Sequence, residues 1–408
     1  MLLEHLRVSG LLSFGPAGLN LPLRGLNVLI GPNGSGKSNL LEVLALLQAA
    51  PVHLASPVTD TDGIQDWLWK SPGGSAVNCL RAATVAVTVS SPTGHRNDDV
   101  HHSLTIEKSA GQFRLTGESI VIGYDDPKDA EVYAYPAYRL ENGTATSLVR
   151  MSKWNDGSSC KTRTLAAEKL HPEMSILSQL KSPFEEEADY PAYRSLSTRY
   201  ARIRLYREIP FGPGSKVREL PRADDRSDYL SEDFRNLALV LGSERFLPVK
   251  RRLGDEMGRF YEEFEAYHLV PTGVRMQLFM EEGGRQIPLG RLSDGTLRYF
   301  CLLAILLDPE PPPLVAIEEP ELGLHPDVIP RLAELLVEAS ERMQLVVTTH
   351  SRLLVDALSG VPESIVVCSK VDGETKMERL KADDLREWLE HYSLGELWSK
   401  GEIGGNRW

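Results

Sequence analysis

The chain has 408 residues, 42% hydrophobic and 25% charged, enough to bury a large core and to spread over about two to three lobes. Its formal net charge of −12 excludes a generally basic nucleic-acid coat and disfavours membrane binding by charge, leaving only local basic patches for either task. No apolar run approaches the roughly 20 residues of a spanning helix, and the opening MLLEHLRVSG alternates like a strand without a signal-peptide pattern, so the cytoplasm is the expected location.

Residues 1 to about 50 read as strand, turn, strand, loop and helix. The apolar run LNVLI has strand character, and KSNLLEVLALL carries apolar residues at helical spacing. Between them stands Gly31-Pro32-Asn33-Gly34-Ser35-Gly36-Lys37-Ser38, a glycine, four residues, then Gly-Lys-Ser. Glycines let successive N–H groups turn toward one anion, and the positive end of the following helix adds to the attraction. Lys37 is placed to reach the β- and γ-phosphates of a nucleoside triphosphate, and the Ser38 hydroxyl to hold Mg²⁺.

ATVAVTVS (83–90), HSLTIEKS, QFRLTGESIVIGY and EVYAYPAYRL then read as successive strands of a β-rich lobe over 55–155. His101-His102 adjoin no second ligand cluster and read as a solvated loop rather than a metal site. Cys79, Cys160, Cys301 and Cys368 are scattered without a Cys-x-x-Cys pair, which points to reduced structural thiols. A polar, partly helical insert follows over 156–271. Within it, 193–208 and 245–259 interleave Arg and Lys with aromatic and apolar residues. Such segments can meet a phosphate backbone, but in an acidic chain the solvated helix face is the favoured reading.

From about 272 the strand–helix alternation returns. Leu292-Ser293-Asp294-Gly295-Thr296 opens an amphipathic helix, where hydroxyl and N–H groups can hold an anion or simply cap the helix. PPPLVAIEE is a buried-strand run that ends in Glu318-Glu319-Pro320, two carboxylates where open α/β sheets place their ligands. LVVTTHS puts His350 at the end of the next apolar strand. The tail GELWSKGEIGGNRW reads equally as a docking tail or a packed terminus. No internal repeat and no useful heptad run appears.

In this order, IGPNGSGKSNLLEVL, LSDGT, AIEEPELGLHP and VVTTHS resemble the ATP-binding-cassette ATPases. Within them they resemble the soluble branch of RecF, structural-maintenance-of-chromosomes and OLD-family proteins, and especially bacterial AAA-type ATPases of that branch. The resemblance implies an α/β P-loop NTPase fold with a mixed and parallel sheet and flanking helices. The ATPase core would be split between 1–54 and 272–370, with the lobe and insert between and a C-terminal extension over 371–408. It implies ATP on Asn33, Gly34, Ser35, Gly36, Lys37, Ser38 and Asn39, and Mg²⁺ on Ser38 and Glu318. Glu319 would activate water and His350 would contact the γ-phosphate. Ser293 and Gly295 would act in trans, so that two chains sandwich two ATP molecules.

Three features depart from the pattern. Glu318 stands where the family usually has Asp, and His325 where transporter-type cassettes carry Asp. The separate magnesium-coordinating glutamine is not identifiable; Gln65 is a candidate beside the reading of an ordinary surface residue. The absence of heptads argues against a coiled-coil chromosome or repair ATPase, and the long insert against a transporter subunit. The segment 351–408 shows no acidic metal cluster of a nuclease. What remains is an ATP-hydrolysing switch for a separately encoded effector, such as a TOPRIM-type nuclease in antiphage defence or DNA maintenance. The alternatives are a slow-turnover scaffold that positions a partner, or an autonomous RecF-like ATPase acting on DNA.

Overall fold

The computed structural model describes residues 1–61, 63–71, 80–91, 99–122, 135–141, 144–149, 161–165, 171–179, 191–207 and 211–404. Cys79, Cys160 and the end of the tail at Trp408 lie outside them. The chain opens with β1 (Leu3–Ser9), β2 (Leu19–Pro22) and β3 (Leu26–Ile30), then the helix Lys37–Ala49. Six strands follow, β4 (Ala82–Val89), β5 (Val100–Ser109), β6 (Gln112–Ile122), β7 (Tyr135–Glu141), β8 (Thr144–Val149) and β9 (Lys161–Leu165). They join β1 and β2 in an antiparallel sheet of order β2-β1-β4-β5-β6-β7-β8-β9, which forms a β-rich lobe drawing on strands from both sides of 55–155.

A second sheet builds the nucleotide-binding core. Its members are β3, β10 (Arg204–Tyr206), β14 (Leu314–Glu318), β15 (Gln344–Thr348), β16 (Ile365–Val371) and β17 (Glu374–Arg379), in the order β10-β14-β15-β3-β16-β17. All neighbours are parallel except β16 and β17. β1 and β2 serve the lobe, whereas β10 enters the core from within 156–271 and β17 from beyond 370. A small antiparallel sheet, β11 (Phe264–Thr272), β12 (Arg275–Glu282) and β13 (Arg285–Pro288), precedes the helix Asp294–Leu306.

The continuous apolar runs of the core strands follow from burial on both faces. Side chains alternate across a strand, and here they divide between two cores. Val28, Ile30, Val315, Ile317, Leu345, Val347 and Ile365 pack with Phe300, Leu332 and Leu354 of the helices Asp294–Leu306, Ile329–Ala339 and Arg352–Ala357. Leu29, Leu314, Ala316, Val346 and Val366 pack instead with Leu40 and Leu44 of the helix Lys37–Ala49 and with Leu6 and Val85 of the lobe. The core sheet is thereby held between helices on one side and the phosphate-loop helix with the lobe on the other.

The solvated-loop reading of His101-His102 is corrected. Both lie in β5, and His102 is buried. Its Nε2 is 3.1 Å from Glu118 Oε1 and its Nδ1 is 3.1 Å from the Tyr200 hydroxyl. Glu118 also accepts from the Ser175 hydroxyl and, at 2.9 Å, from the Ile176 N–H. Burial is tolerated because each polar atom in this group has a partner, and that pairing is invisible in two adjacent histidines.

Candidate nucleotide site

The sequence Gly31 to Ser38 forms a loop between β3 and the helix Lys37–Ala49, with φ of 146° at Gly31, 77° at Gly34 and 96° at Gly36. A β-carbon on Gly31 would lie 2.2 Å from the Cys368 carbonyl oxygen, and one on Gly36 2.1 Å from Thr375 Oγ1. Only glycine fits either position. The loop is clamped from behind by β17: Thr375 Oγ1 donates to the Ser35 carbonyl at 2.9 Å and lies 2.6 Å from Ser13 Oγ, from which it can accept, and the Thr375 N–H donates to the Ser13 carbonyl at 2.8 Å. Asn39 uses its amide to donate to Ser13 Oγ at 2.6 Å, which makes it part of this clamp.

Lys37 is nearly buried, and its Nζ donates to the carbonyls of Gly31 at 2.7 Å and Pro32 at 3.1 Å. Burial lowers its pKa, and Cys368, Glu319 and Glu318 pull it partly back. The Ser35 hydroxyl is buried without a hydrogen-bond partner. A triphosphate suits this donor set: N–H groups at a helix start, an ammonium group and an unused hydroxyl.

β14 delivers the acids. Ser38 Oγ donates to Glu318 Oε1 at 2.7 Å, so the hydroxyl and the carboxylate expected to share a metal already stand together. These hard oxygen donors, completed by water and phosphate oxygens, fit Mg²⁺ better than a soft metal. The next residue, Glu319, has φ 44°, a left-handed conformation that is strained for a side-chain-bearing residue. Its N–H donates to the Thr348 carbonyl at 3.0 Å, and its own carbonyl accepts from Leu322 at 3.1 Å and from Arg298 Nη1 at 3.3 Å. This sharp turn carries the carboxylate to 3.8 Å from His350 Nε2 at the end of β15. Burial and the nearby Lys37 lower the His350 pKa, opposed by Glu319. Behind the pair, Glu321 accepts from the Thr349 hydroxyl and, at 3.3 Å, from the His350 N–H; burial raises its pKa.

The segment 292–296 is an N-terminal cap. Ser293 Oγ accepts from the Thr296 N–H at 3.1 Å, and Gly295 leaves so little space that an added β-carbon would sit 3.1 Å from the Gly323 carbonyl. Gln65 is exposed and accepts from Lys108, a surface pairing. His325, also exposed, accepts from the Asp327 N–H at 3.4 Å as a local cap. The basic segments are mostly internal braces. Arg207 pairs with Glu42, Arg245 with Asp308 and Arg252 with Glu338, while Arg199 donates to the carbonyls of Ser90 and Met1.

Thr375, Arg218 and Arg298 support the site without any signal in the sequence. Arg218 ties 290–294 in place, and Arg298 lies 4.8 Å over the Phe211 ring while reaching the Glu319 carbonyl. Their partners stand far away along the chain, and no short pattern marks such residues.

A phosphate loop on a largely parallel sheet, a histidine at the end of the strand beside it, acids at the end of the strand beyond and an antiparallel lobe alongside define a P-loop NTPase domain. The chain belongs to the family described as "AAA domain, putative AbiEii toxin, Type IV TA system", which matches residues 26–83 and 101–356. No curated protein matches it. Its fold is similar to a crystal structure of the Smc head bound to the C-terminal winged-helix domain of ScpA, with TM-score 0.57 and 14% identity over 94% of this chain and 99% of that one. The Smc head from Pyrococcus furiosus, solved with an extended coiled coil and bound to the C-terminal domain of ScpA, gives 0.56 and 13% over 95% and 98%. Among the described residues no helix is long and apolar enough to cross a membrane.

Proposed function

We propose that the protein is a Mg²⁺-dependent ATP-hydrolysing switch whose ATP-bound state is a head-to-tail dimer. The observation that carries this reading is the 2.7 Å Ser38–Glu318 contact with Glu319 and His350 at the ends of the adjoining strands. Ser38 and Glu318 would hold the cation, which when bound offsets phosphate charge. Lys37 and the loop N–H groups would bind the phosphates. Glu319 would take a proton from the attacking water, and neutral His350 would donate from its ring to the γ-phosphate. Ser293 and Gly295 would meet the ATP held by the second chain.

The output is proposed to be a separate effector protein. The family description names a toxin–antitoxin system, which supports a defence setting, and a TOPRIM-type nuclease is the effector class we favour. The lobe and insert, which the hydrolytic chemistry does not require, would supply its docking surface.

Glu319→Gln keeps shape and hydrogen bonding but removes the base. It should retain ATP binding and cut turnover by about 10²- to 10⁴-fold. Affinity purification of this variant from the native cell, with and without ATP, should recover the effector in the ATP state. Native-rate hydrolysis by Glu319→Gln would refute the catalytic assignment. Recovery of the chain alone in every nucleotide state, with full DNA-stimulated turnover by the isolated wild-type protein, would favour an autonomous DNA-acting ATPase.

A further inference from the structure

We infer that Arg218, contributed by the insert, is the positioning residue that presents Ser293 and Gly295 to the ATP of the second chain; this rests on the dimer proposed above. Arg218 ends the short 3₁₀ turn Lys216–Arg218 and is largely buried by side chain, at 13% exposure. Its guanidinium is used on every edge. Nε donates to the Gly212 carbonyl at 3.0 Å, and Nη1 donates to the carbonyls of Gly290 and Leu292, both at 2.8 Å. Nη2 pairs with the carboxylate of Asp294.

Gly290, Leu292 and Asp294 bracket Ser293 on both sides. Every second residue through the turn is therefore tied to one rigid fork, whose planar geometry allows four directed bonds at once. The backbone packs to match: a β-carbon on Gly290 would be 3.4 Å from the Arg218 carbonyl. The same stretch also supplies Phe211, under the Arg298 guanidinium of the helix that Ser293 caps. The residues 211–218 thus hold the first turns of that helix from two sides. Ser293 spends its own hydrogen bonds on Thr296, so the direction in which it faces is set by the backbone that Arg218 fixes.

Among the described residues, the hydrogen bonds of Arg218 go to Gly212, Gly290, Leu292 and Asp294 and to no residue of its own phosphate loop. Its loss should spare ATP binding and damage only the site completed by the opposite chain. Arg218→Ala should keep ATP affinity within about 2-fold while lowering the saturating rate about 10-fold or more, a kcat effect without a KM effect. Arg218→Lys, which restores charge but not the fork, should recover only a small part of the rate.

The deciding measurement is complementation in mixtures. Arg218→Ala retains a working phosphate loop and Lys37→Ala a working presenting segment, so a mixed dimer owns one complete site. An equal mixture should regain about one quarter of the wild-type rate under random pairing, above the roughly one tenth or less that Arg218→Ala keeps by itself. Ser293→Arg mixed with Lys37→Ala is the parallel control. If the control recovers and the Arg218→Ala mixture does not, the positioning role of Arg218 is wrong and the dimer stands. If neither recovers, the dimer reading fails, and the inference with it.

Discussion

At the residue scale the site is governed by burial acting on charge. Lys37 lies in a pocket that lowers its pKa, and it spends its donors on two loop carbonyls. A triphosphate offers that ammonium group a stronger, charged acceptor. Lys37→Ala should therefore weaken ATP about 10- to 100-fold, the worth of one charge-assisted bond, measurable by titration calorimetry. His350 carries the pH dependence. Its lowered pKa means that the unfolded chain takes up a proton first as pH falls. Native stability contributed by the neutral ring is thus present above the ordinary histidine value of about 6.5, and declines as pH drops from there toward the lowered folded value. The acid limb of turnover should lie below about 6.5 and be altered in His350→Gln. An acid limb above that value, tracked to His350 by proton NMR, would contradict the assignment.

At the scale of elements, the loop between β3 and its helix was legible because all its information is local. A glycine spacing, an apolar run before and a helical run after are enough. The structure adds why two of those glycines cannot change. Gly36→Ala would drive a methyl group into Thr375 Oγ1 and impose a side chain at φ 96°, so it should abolish nucleotide binding rather than merely weaken it. What the sequence could not reveal was the clamp itself. Thr375 and Ser35 stand 340 residues apart, and Arg218 and Asp294 stand 76 apart. Neither threonine nor arginine is rare enough to mark such a partnership. β10 escaped for a different reason: three residues are too few for a period, and its strand state comes from pairing with β14. His102 escaped because two adjacent histidines in an alternating strand face opposite ways, and only one is buried. Its partner Glu118 is buried as well, so His102→Leu would leave that carboxylate short of one partner at zero exposure. The change should destabilise the fold by about 3 kcal/mol, read as a lowered urea midpoint at constant slope.

At the scale of the whole molecule, the core sheet places its chemistry on one rim. β14 ends at Glu318 and β15 just before His350, and the helix capped by Ser293 touches the same rim through Gly295 and the Gly323 carbonyl. Two large apolar side chains stand out there. Leu322, in the turn after Glu319, is 56% exposed, and Leu353, in the helix after His350, is 45% exposed. A single exposed leucine is ordinary, but two flanking the proposed catalytic pair fit a surface that a second copy covers. Leu322 is also wired to the chemistry, since its N–H donates to the Glu319 carbonyl. Leu322→Glu should therefore leave the single-chain ATP site intact while placing a charge in the contact between chains. Analytical ultracentrifugation of the Glu319→Gln protein should show ATP-dependent dimers, and adding Leu322→Glu should weaken that dimer about 10-fold or more, as expected for an unpaired charge at an interface core. The wild-type rate per chain should rise with protein concentration until dimers saturate. A rate per chain independent of concentration, with Leu322→Glu hydrolysing like wild type, would place the whole reaction within one chain and remove the need for the second.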